Sequence, residues 1–525
     1  LDNALMLKAD IALPDLSHQP LWRDESIVFG NSRITPYAHP SLEALLVQTQ
    51  GQWFAMVRER AAGHESPVAT QSVDGETFQE LYRQCLLWPL DYLMIEAAQA
   101  GTRMKIRAGV FGSLPLYCRA TQDKVRLSWD VTDLATEPLA IDAEIASHRL
   151  AMNTVYSARQ LCVGIQLLTE RASLDIEPGK ANYRYPAPAR ETFPAPLPAG
   201  RDALAMFEEL LQRAVSARPA AAERISLELS GGMDSGSVAC ALAERYGPVA
   251  SKGILLDGDV RHPQIERRQL IARRLGLFDD TVEMAAYPPD LDLRHVDPTR
   301  NLTREYYLEA CSALWRKALA QGHDMLFTGI GGDELFPRYL DEVQAQQPAR
   351  PERANEVKLY AEQLLTPQAR SAAHSLRGFD APVSPVPSTT LLAIACRAPD
   401  LARHGLWPVN PLSDPHLVDF CHRLPREYRQ GRELIRLYLQ KHLGSDAFPR
   451  DYTKETFAGV LPALISRHAP ALAEQLSDCV LADLGLVDHR AVLTLLDAVA
   501  TTQASAATTA FVSFLWLERS VRQVH

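Results

Sequence analysis

Ile225-Ser226-Leu227-Glu228-Leu229-Ser230-Gly231-Gly232-Met233-Asp234-Ser235 is the stretch on which the fold turns. A strand from Ile225 to Leu229 runs directly into a loop holding two glycines. A small-residue helix from Ser237 to Arg245 follows it. The glycines let the backbone approach a ligand with no Cβ in the way, and the free N–H groups at the helix start face outward. Ser230 and Ser235 add hydroxyls, so the loop is a cradle for phosphates. It is not a Walker A loop, because no Gly-Lys-Ser/Thr follows and no lysine reaches a terminal phosphate. A bare Gly-Gly turn is commonly just a capped strand-to-helix turn. The complete Ser-Gly-Gly-x-Asp-Ser string in this setting points to phosphate.

Outward from this loop, residues 201–217 read as a helix with Leu204, Phe207, Leu210, Leu211 and Val215 on one side. Downstream come a strand at Gly253-Ile254-Leu255-Leu256, a charged helix from Pro263 to Leu275 and a helix over 305–321. The strand Asp324-Met325-Leu326-Phe327-Thr328 then enters a second glycine turn, Gly329-Ile330-Gly331-Gly332-Asp333-Glu334. Strands alternating with helices predict an α/β fold with a parallel sheet and right-handed crossovers. Ligands of such sheets sit beyond the carboxyl ends of the strands, where both glycine turns fall. From 340 onward the pattern is mostly helical, with Pro-rich loops at 348–351 and 380–387. The Ala/Thr-rich segment 493–509 reads as a weakly specified helix without nameable chemistry, and no internal repeat is visible.

The N-terminal half has a different rhythm. Ser26–Phe29, Trp53–Val57, Met104–Arg107 and Val125–Trp129 read as short strands between turns. Between the halves, Pro186, Pro188, Pro194, Pro196 and Pro198 alternate with small residues, the composition of an extended connector. The expected organisation is therefore residues 1–185, a linker over 186–200, and a second domain over 201–525.

The chain has 525 residues, room for two or three domains at about 150 residues each. With 54 Lys and Arg against 64 Asp and Glu its formal net charge is −10, which argues against a general nucleic-acid partner. No apolar run reaches the ~18 residues of a membrane span, and Leu1-Asp2-Asn3-Ala4 lacks the basic-then-apolar order of a secretory signal. It also lacks an initiator Met, a start compatible with trimming before Leu1. The eight cysteines are scattered with no CxxC pair, as expected of reduced, buried thiols in the cytoplasm.

Ser230 to Ser235 resembles the signature of the PP-loop ATP pyrophosphatases, which cleave ATP between the α- and β-phosphates and pass an adenylate through the site. NAD synthetases, GMP synthetases and tRNA-thiolating enzymes share that motif. The second motif is narrower: Leu326 to Phe336 resembles the GxGxDELF segment of the asparagine synthetase superfamily, and the 99 residues from Asp234 to Asp333 suit its spacing. The resemblance implies ATP contacts from Leu229, Ser230, Gly231, Gly232, Asp234, Ser235, Leu255, Thr328, Gly329 and Gly331. It also implies Mg²⁺ held by Asp234 and Asp333; a hard cation takes one or two protein carboxylates beside phosphates and waters. A third match, Phe448-Pro449-Arg450-Asp451-Tyr452-Thr453-Lys454-Glu455-Thr456-Phe457, follows Leu424-Pro425 and a helix read from Gly431 to Leu443. It is similar to the family's late lysine segment and implies that Lys454 is catalytic, stabilising the adenylate and the tetrahedral intermediate. A fixed cation there is worth roughly 3–4 kcal/mol by analogy with oxyanion donors.

In the N-terminal half, Gly109 to Tyr117, Leu127 to Asp130, Asn153 to Tyr156 and Ile176 to Gly179 resemble the glutaminase-type, Ntn-class αββα domain of the same superfamily. Two departures bear on function. A working glutaminase of this type begins with a cysteine, whereas Leu1 stands here and the first cysteine is Cys85. The acidic residue expected before the GxxPLY run is also absent, with Ala108 and Gly109 in its place. The domain is therefore expected to be an inactive scaffold, and the amine to arrive with the substrate. A third departure is Ile330, which stands where asparagine-forming relatives resemble a Glu pattern and β-lactam-forming relatives a Tyr pattern; an apolar side chain is neither acid nor base.

The expected function is an AMP-forming amide ligase acting on a peptide or small-molecule carboxylate and amine. The foremost reading is a lasso-peptide macrolactam cyclase working beside a leader-peptide-processing protease. A β-lactam-type or asparagine synthetase is the alternative, and a non-catalytic peptide- or nucleotide-binding partner is the reading from another class.

Overall fold

The computed structural model describes residues 7–98, 101–135, 138–198, 200–295, 302, 305–339, 352–375, 379–452 and 454–525. The expected loop at 348–351, the start at Leu1–Ala4, and Thr453 lie outside the described residues.

Five parallel strands form the central sheet of the C-terminal half. Their order across the sheet is Phe278–Glu283, Ala250–Leu255, Ile225–Glu228, Met325–Phe327 and Trp407–Val409. Ile225, Leu227, Met325, Leu326 and Phe327 are fully buried, as strands covered on both faces must be. Ile225 pairs with Met325 and Leu227 with Phe327, so the two glycine turns leave neighbouring strands at the same end. Chain order reverses between these two strands, which makes their shared end the switch point where open α/β sheets hold ligands. Helices Met233–Tyr246, Arg261–Leu275 and Leu308–Ala320 match the expected alternation, although the first begins four residues early, inside the motif. The two edge strands escape a sequence reading. One carries Asp279, Asp280 and Thr281, and the other has Pro408 at its centre, a residue edge strands tolerate.

The N-terminal half is a sandwich of two seven-stranded sheets, and the four strands read from sequence all belong to it. Ile11, Ile27, Phe29, Ile34 and Leu127 of one sheet pack in the same core as Trp53, Ala55, Val57, Ile95 and Ile106 of the other. Helix Gly75–Leu86 places Phe78 and Cys85 on the outer face of the second sheet, against Leu45, Val47, Phe54 and Met94. On the opposite outer face, Tyr117, Ile165 and Leu167 are covered by Val131, Leu134 and Leu139, and by Val386, Leu391 and Val524 from the C-terminal half.

Residues 186–198 contain neither helix nor strand, and the connector is tied down by Ala189 N–H to Val383 O and Ala195 N–H to Arg423 O. The halves meet through buried polar contacts. Arg218 donates to both carboxylate oxygens of Glu59 at 2.6 and 2.7 Å, and Trp407 Nε1 donates to the same group at 2.6 Å. Two helical expectations need correction. Segment 493–509 is not one weak helix: it spans the end of His489–Thr502, a left-handed break at Gln503 (φ 51°), and the start of Ser505–Val524. Phe511, Phe514 and Leu515 of that last helix lie in the second core. The helix read from Gly431 begins at Glu433, because Gly431 and Arg432 both adopt left-handed conformations. No helix among the described residues is long and apolar enough to cross a membrane.

Candidate functional site

The two glycine turns touch. A Cβ on Gly329 would lie 2.8 Å from Ser235 N, and one on Gly332 would overlap the Asp234 carboxylate and lie 2.7 Å from Asp234 Cβ. Within the first turn, Gly231 takes φ +97°. Ser230 Oγ accepts from Gly232 N–H at 3.1 Å and meets Ser235 Oγ at 3.1 Å. Helix Met233–Tyr246 has Gly232 as its N-cap with no side-chain cap, so Asp234 sits in the first turn of a helix rather than on a loop. Gln264 clips the turn to the next strand: its Nε2 donates to Ser230 O and Ile254 O, and its Oε1 accepts from Leu256 N–H, each at 3.0 Å.

Two cations close the mouth. Arg432 contacts Asp234 and lies 3.1 Å from Asp333 Oδ1, and it also donates to Gly332 O at 3.2 Å. Its backbone is left-handed (φ 60°, ψ 40°), a strained setting for a residue with a Cβ, and burial lowers the guanidinium below its ordinary range. Lys454 Nζ donates to both oxygens of Asp333, at 2.9 and 2.8 Å. Among the described residues, no group of three or more His, Cys, Asp and Glu could hold a metal by itself. The pair of carboxylates sharing Arg432 is a sparse, hard-oxygen donor set, which suits Mg²⁺ completed by phosphates and water.

Leu229, Ser230, Asp234, Ser235, Thr328, Gly329, Asp333 and Lys454 all line one cleft of about 450 Å³. Gly231, Gly232 and Gly331 shape the two turns that carry these lining residues. Leu255 is buried and does not line it, whereas its neighbours Ile254 and Leu256 do. Thr328 Oγ1 donates to Asn410 Oδ1 at 2.6 Å and accepts from Ile330 N–H at 3.2 Å, which holds the second turn. The sequence reading assigned no role to Arg432 or Gln264, and named Gly332 and Glu455 only as members of their motifs. It also missed the inner wall, where Arg397 donates twice to Glu228 at 2.8 Å and lies 3.4 Å from Glu305. A glutamate following Lys454 directly was the available signal for Glu455. Arg432 gave none, because its role depends on a backbone twist.

Residues 206–393 match the family model for asparagine synthase. Over this segment the chain is similar to the asparagine synthetase superfamily. The match contains both glycine turns, and Arg432 and Lys454 lie beyond it. Among solved structures the chain is similar to the U34-tRNA thiolase NcsA from Methanococcus maripaludis, described with its 4Fe-4S cluster. Identity is 13%, over 51% of this chain and 76% of that one, at a TM-score of 0.24, which is too slight to carry an argument. The search of curated proteins found no match. The asparagine-synthase segment supports an ATP-using enzyme and, in general terms, amide or carbon–nitrogen ligation.

The sandwich that accompanies the asparagine-synthase segment supplies a carboxylate where its own glycine run lacks one. Asp91 stands in the space a Cβ on Gly109 would need, and it accepts from Ser113 N–H at 2.7 Å and Phe111 N–H at 3.4 Å. Burial, and then the nearby Glu59, push this carboxyl up to about 6. The acidic group expected before the GxxPLY run is thus present in space, from a residue 18 positions earlier than Gly109. The cysteines are all free, and burial pushes Cys85 and Cys162 to about 11 and Cys118 and Cys479 to about 12.

Proposed function

We propose that this chain is an ATP-dependent, AMP- and diphosphate-forming amide ligase that closes a macrolactam within a peptide, as lasso-peptide cyclases do. One observation carries the reading: the two glycine turns meet at the switch point of the parallel sheet, with Asp234 and Asp333 joined through Arg432 and with Lys454 on Asp333. Within this reading, residues 1–185 are an Ntn-type glutaminase-like scaffold, 186–200 the connector and 201–525 the synthetase domain.

The phosphates of ATP rest on Gly231-Gly232 and the uncapped N–H groups of helix Met233–Tyr246. Asp234 and Asp333 would hold Mg²⁺, which when bound offsets pyrophosphate charge. The substrate carboxylate attacks the α-phosphorus and diphosphate leaves. The peptide amine then attacks the acyl carbon, an amide forms, and AMP departs with the original carboxylate oxygen. Lys454 and Arg432 hold positive charge where negative charge develops. Ile330 contributes no proton acceptor, so the amine must lose its proton elsewhere. A reducing cytoplasm and a leader-removing protease as partner complete the proposal.

The test is incubation of the purified chain with its co-encoded precursor peptide, the leader protease, ATP and Mg²⁺. The expected result is loss of one water from the core peptide with AMP formed in step. No dehydrated peptide and no AMP would overturn the reading, and ammonium-dependent asparagine formation would replace it with a small-molecule ligase.

A further inference from the structure

Lys454 is long, flexible and 56% exposed, and its partner Asp333 is 57% exposed. An ion pair in that setting is too weak to hold a catalytic nitrogen in place by itself. The adjacent residue is differently placed. Glu455 is 5% exposed and accepts from Arg267 Nε at 3.0 Å, with a second guanidinium nitrogen in contact. Its carboxylate also abuts the first glycine turn. Oε1 lies 3.2 Å from where a Cβ on Gly231 would stand, and Oε2 3.7 Å from the same point on Gly232.

Arg267 occupies the helix face that already braces that turn. Gln264, Arg267 and Arg268 are spaced i, i+3, i+4 along helix Arg261–Leu275. Gln264 clips Ser230 to the neighbouring strand. Arg268 packs its Cγ 3.3 Å from the Cβ position of Gly231. Arg267 also lies over the ring of Tyr452, 5.3 Å from its centroid. One helix face therefore fixes the phosphate turn and, through Glu455, the backbone that carries Lys454.

We propose that Arg267 and Glu455 are positioning residues for Lys454: their buried ion pair pins the backbone beside the lysine, so that its amine meets Asp333 at the mouth of the cleft. The inference rests on the ligase reading for its rate consequences, but not for its geometry. A buried ion pair resists the loss of either partner far more than a surface one, and a small misplacement of a reacting group can lower a rate on the order of 100-fold.

The test compares Arg267→Met, Glu455→Gln, Arg267→Lys and Lys454→Ala, together with Arg267→Met combined with Lys454→Ala, in the full chain. Single-turnover AMP formation, ATP affinity and thermal midpoint are measured for each. Arg267→Met and Glu455→Gln are expected to slow AMP formation on the order of 10- to 100-fold with ATP affinity falling much less than the rate, and Arg267→Lys to recover part of the loss. In the Lys454→Ala background, Arg267→Met should slow the reaction no further. Additive losses, or losses of ATP affinity that match the loss of rate, would overturn the proposal.

A second measurement needs no turnover. Modification of Lys454 by an acylating reagent, located by mass spectrometry, should be faster in Arg267→Met and Glu455→Gln than in the wild type, and an equal rate would overturn the proposal. Wild-type protein that makes no AMP with any substrate would sink the ligase reading instead, and the labelling would still decide the positioning role.

Discussion

Lys454 donates both of its described hydrogen bonds to Asp333, at 2.9 and 2.8 Å, across 121 residues of sequence. This places an exposed cation on the carboxylate proposed to face the pyrophosphate. Lys454→Ala is expected to lower amide formation about 10²- to 10³-fold, the loss typical of a removed charge-stabilising donor. ATP affinity should stay near wild type, because Arg432 still holds Asp234 and Asp333. Rapid-quench AMP formation and equilibrium nucleotide binding separate the two; a variant with full rate would remove the lysine from the chemistry.

Gly332 is the closest point between the two turns. A methyl group there overlaps the Asp234 carboxylate, so Gly332→Ala must push the turns apart or expel Asp234. The substitution should destabilise the chain by roughly 1–3 kcal/mol, as overpacking does, and abolish AMP formation. Urea unfolding and an AMP assay provide the check. Unchanged activity would mean that the close approach is dispensable.

Asp234→Asn and Asp333→Asn should each abolish AMP formation but differ in stability. Asp333 is exposed, so its loss should change unfolding little. Asp234 contacts the largely buried Arg432, and its neutralisation leaves that guanidinium poorly compensated. Circular dichroism melts of the two variants, run beside the AMP assay, should place Asp234→Asn below Asp333→Asn.

Asp91 makes a pH prediction. Its folded carboxyl is raised from 3.8 to about 6. Below pH 3.8 both folded and unfolded chains hold the proton and the residue contributes no difference. As pH climbs from about 4 to 6 the unfolded chain ionises first, so Asp91 destabilises the fold increasingly; above 6 the penalty is constant at roughly 3 kcal/mol. The unfolding free energy of wild type minus that of Asp91→Asn should therefore fall across this window and flatten above it. A difference independent of pH would show that the carboxyl is not perturbed.

Glu59 carries the junction between the halves. Glu59→Gln leaves Arg218 buried without its counter-charge, and a broken buried pair of this kind costs about 3–5 kcal/mol. Arg218→Met, which removes the charge, should be milder in combination with Glu59→Gln than Glu59→Gln alone. Denaturant unfolding of the two single variants and the double variant measures this; strictly additive losses would argue against the pair as a unit.

The first glycine turn was legible because Ser230 to Ser235 is contiguous, and its glycines and hydroxyls act through local backbone geometry. The second turn was legible for the same reason, and the strands and helices around both followed from periodicity. Phe278–Glu283 and Trp407–Val409 were not, because an edge strand needs only one apolar flank and tolerates Asp, Thr and Pro. Leu255 was assigned by resemblance to the nucleotide; it is buried at the last position of its strand, and Ile254 and Leu256 on either side line the cleft.

The order of residues by itself determined that two glycine turns follow two strands and that an acidic residue, Asp234 or Asp333, stands within each. Tertiary structure alone decided that the turns touch, that Arg432 reaches both aspartates from a left-handed backbone, that Asp91 fills the space beside Gly109, and that Glu455 reaches Arg267. The physical reason is range. Turn and helix preferences act over a few bonds and are written in neighbouring residues, whereas the approach of a carboxylate to a cation a hundred or more positions away is set by strand register and packing.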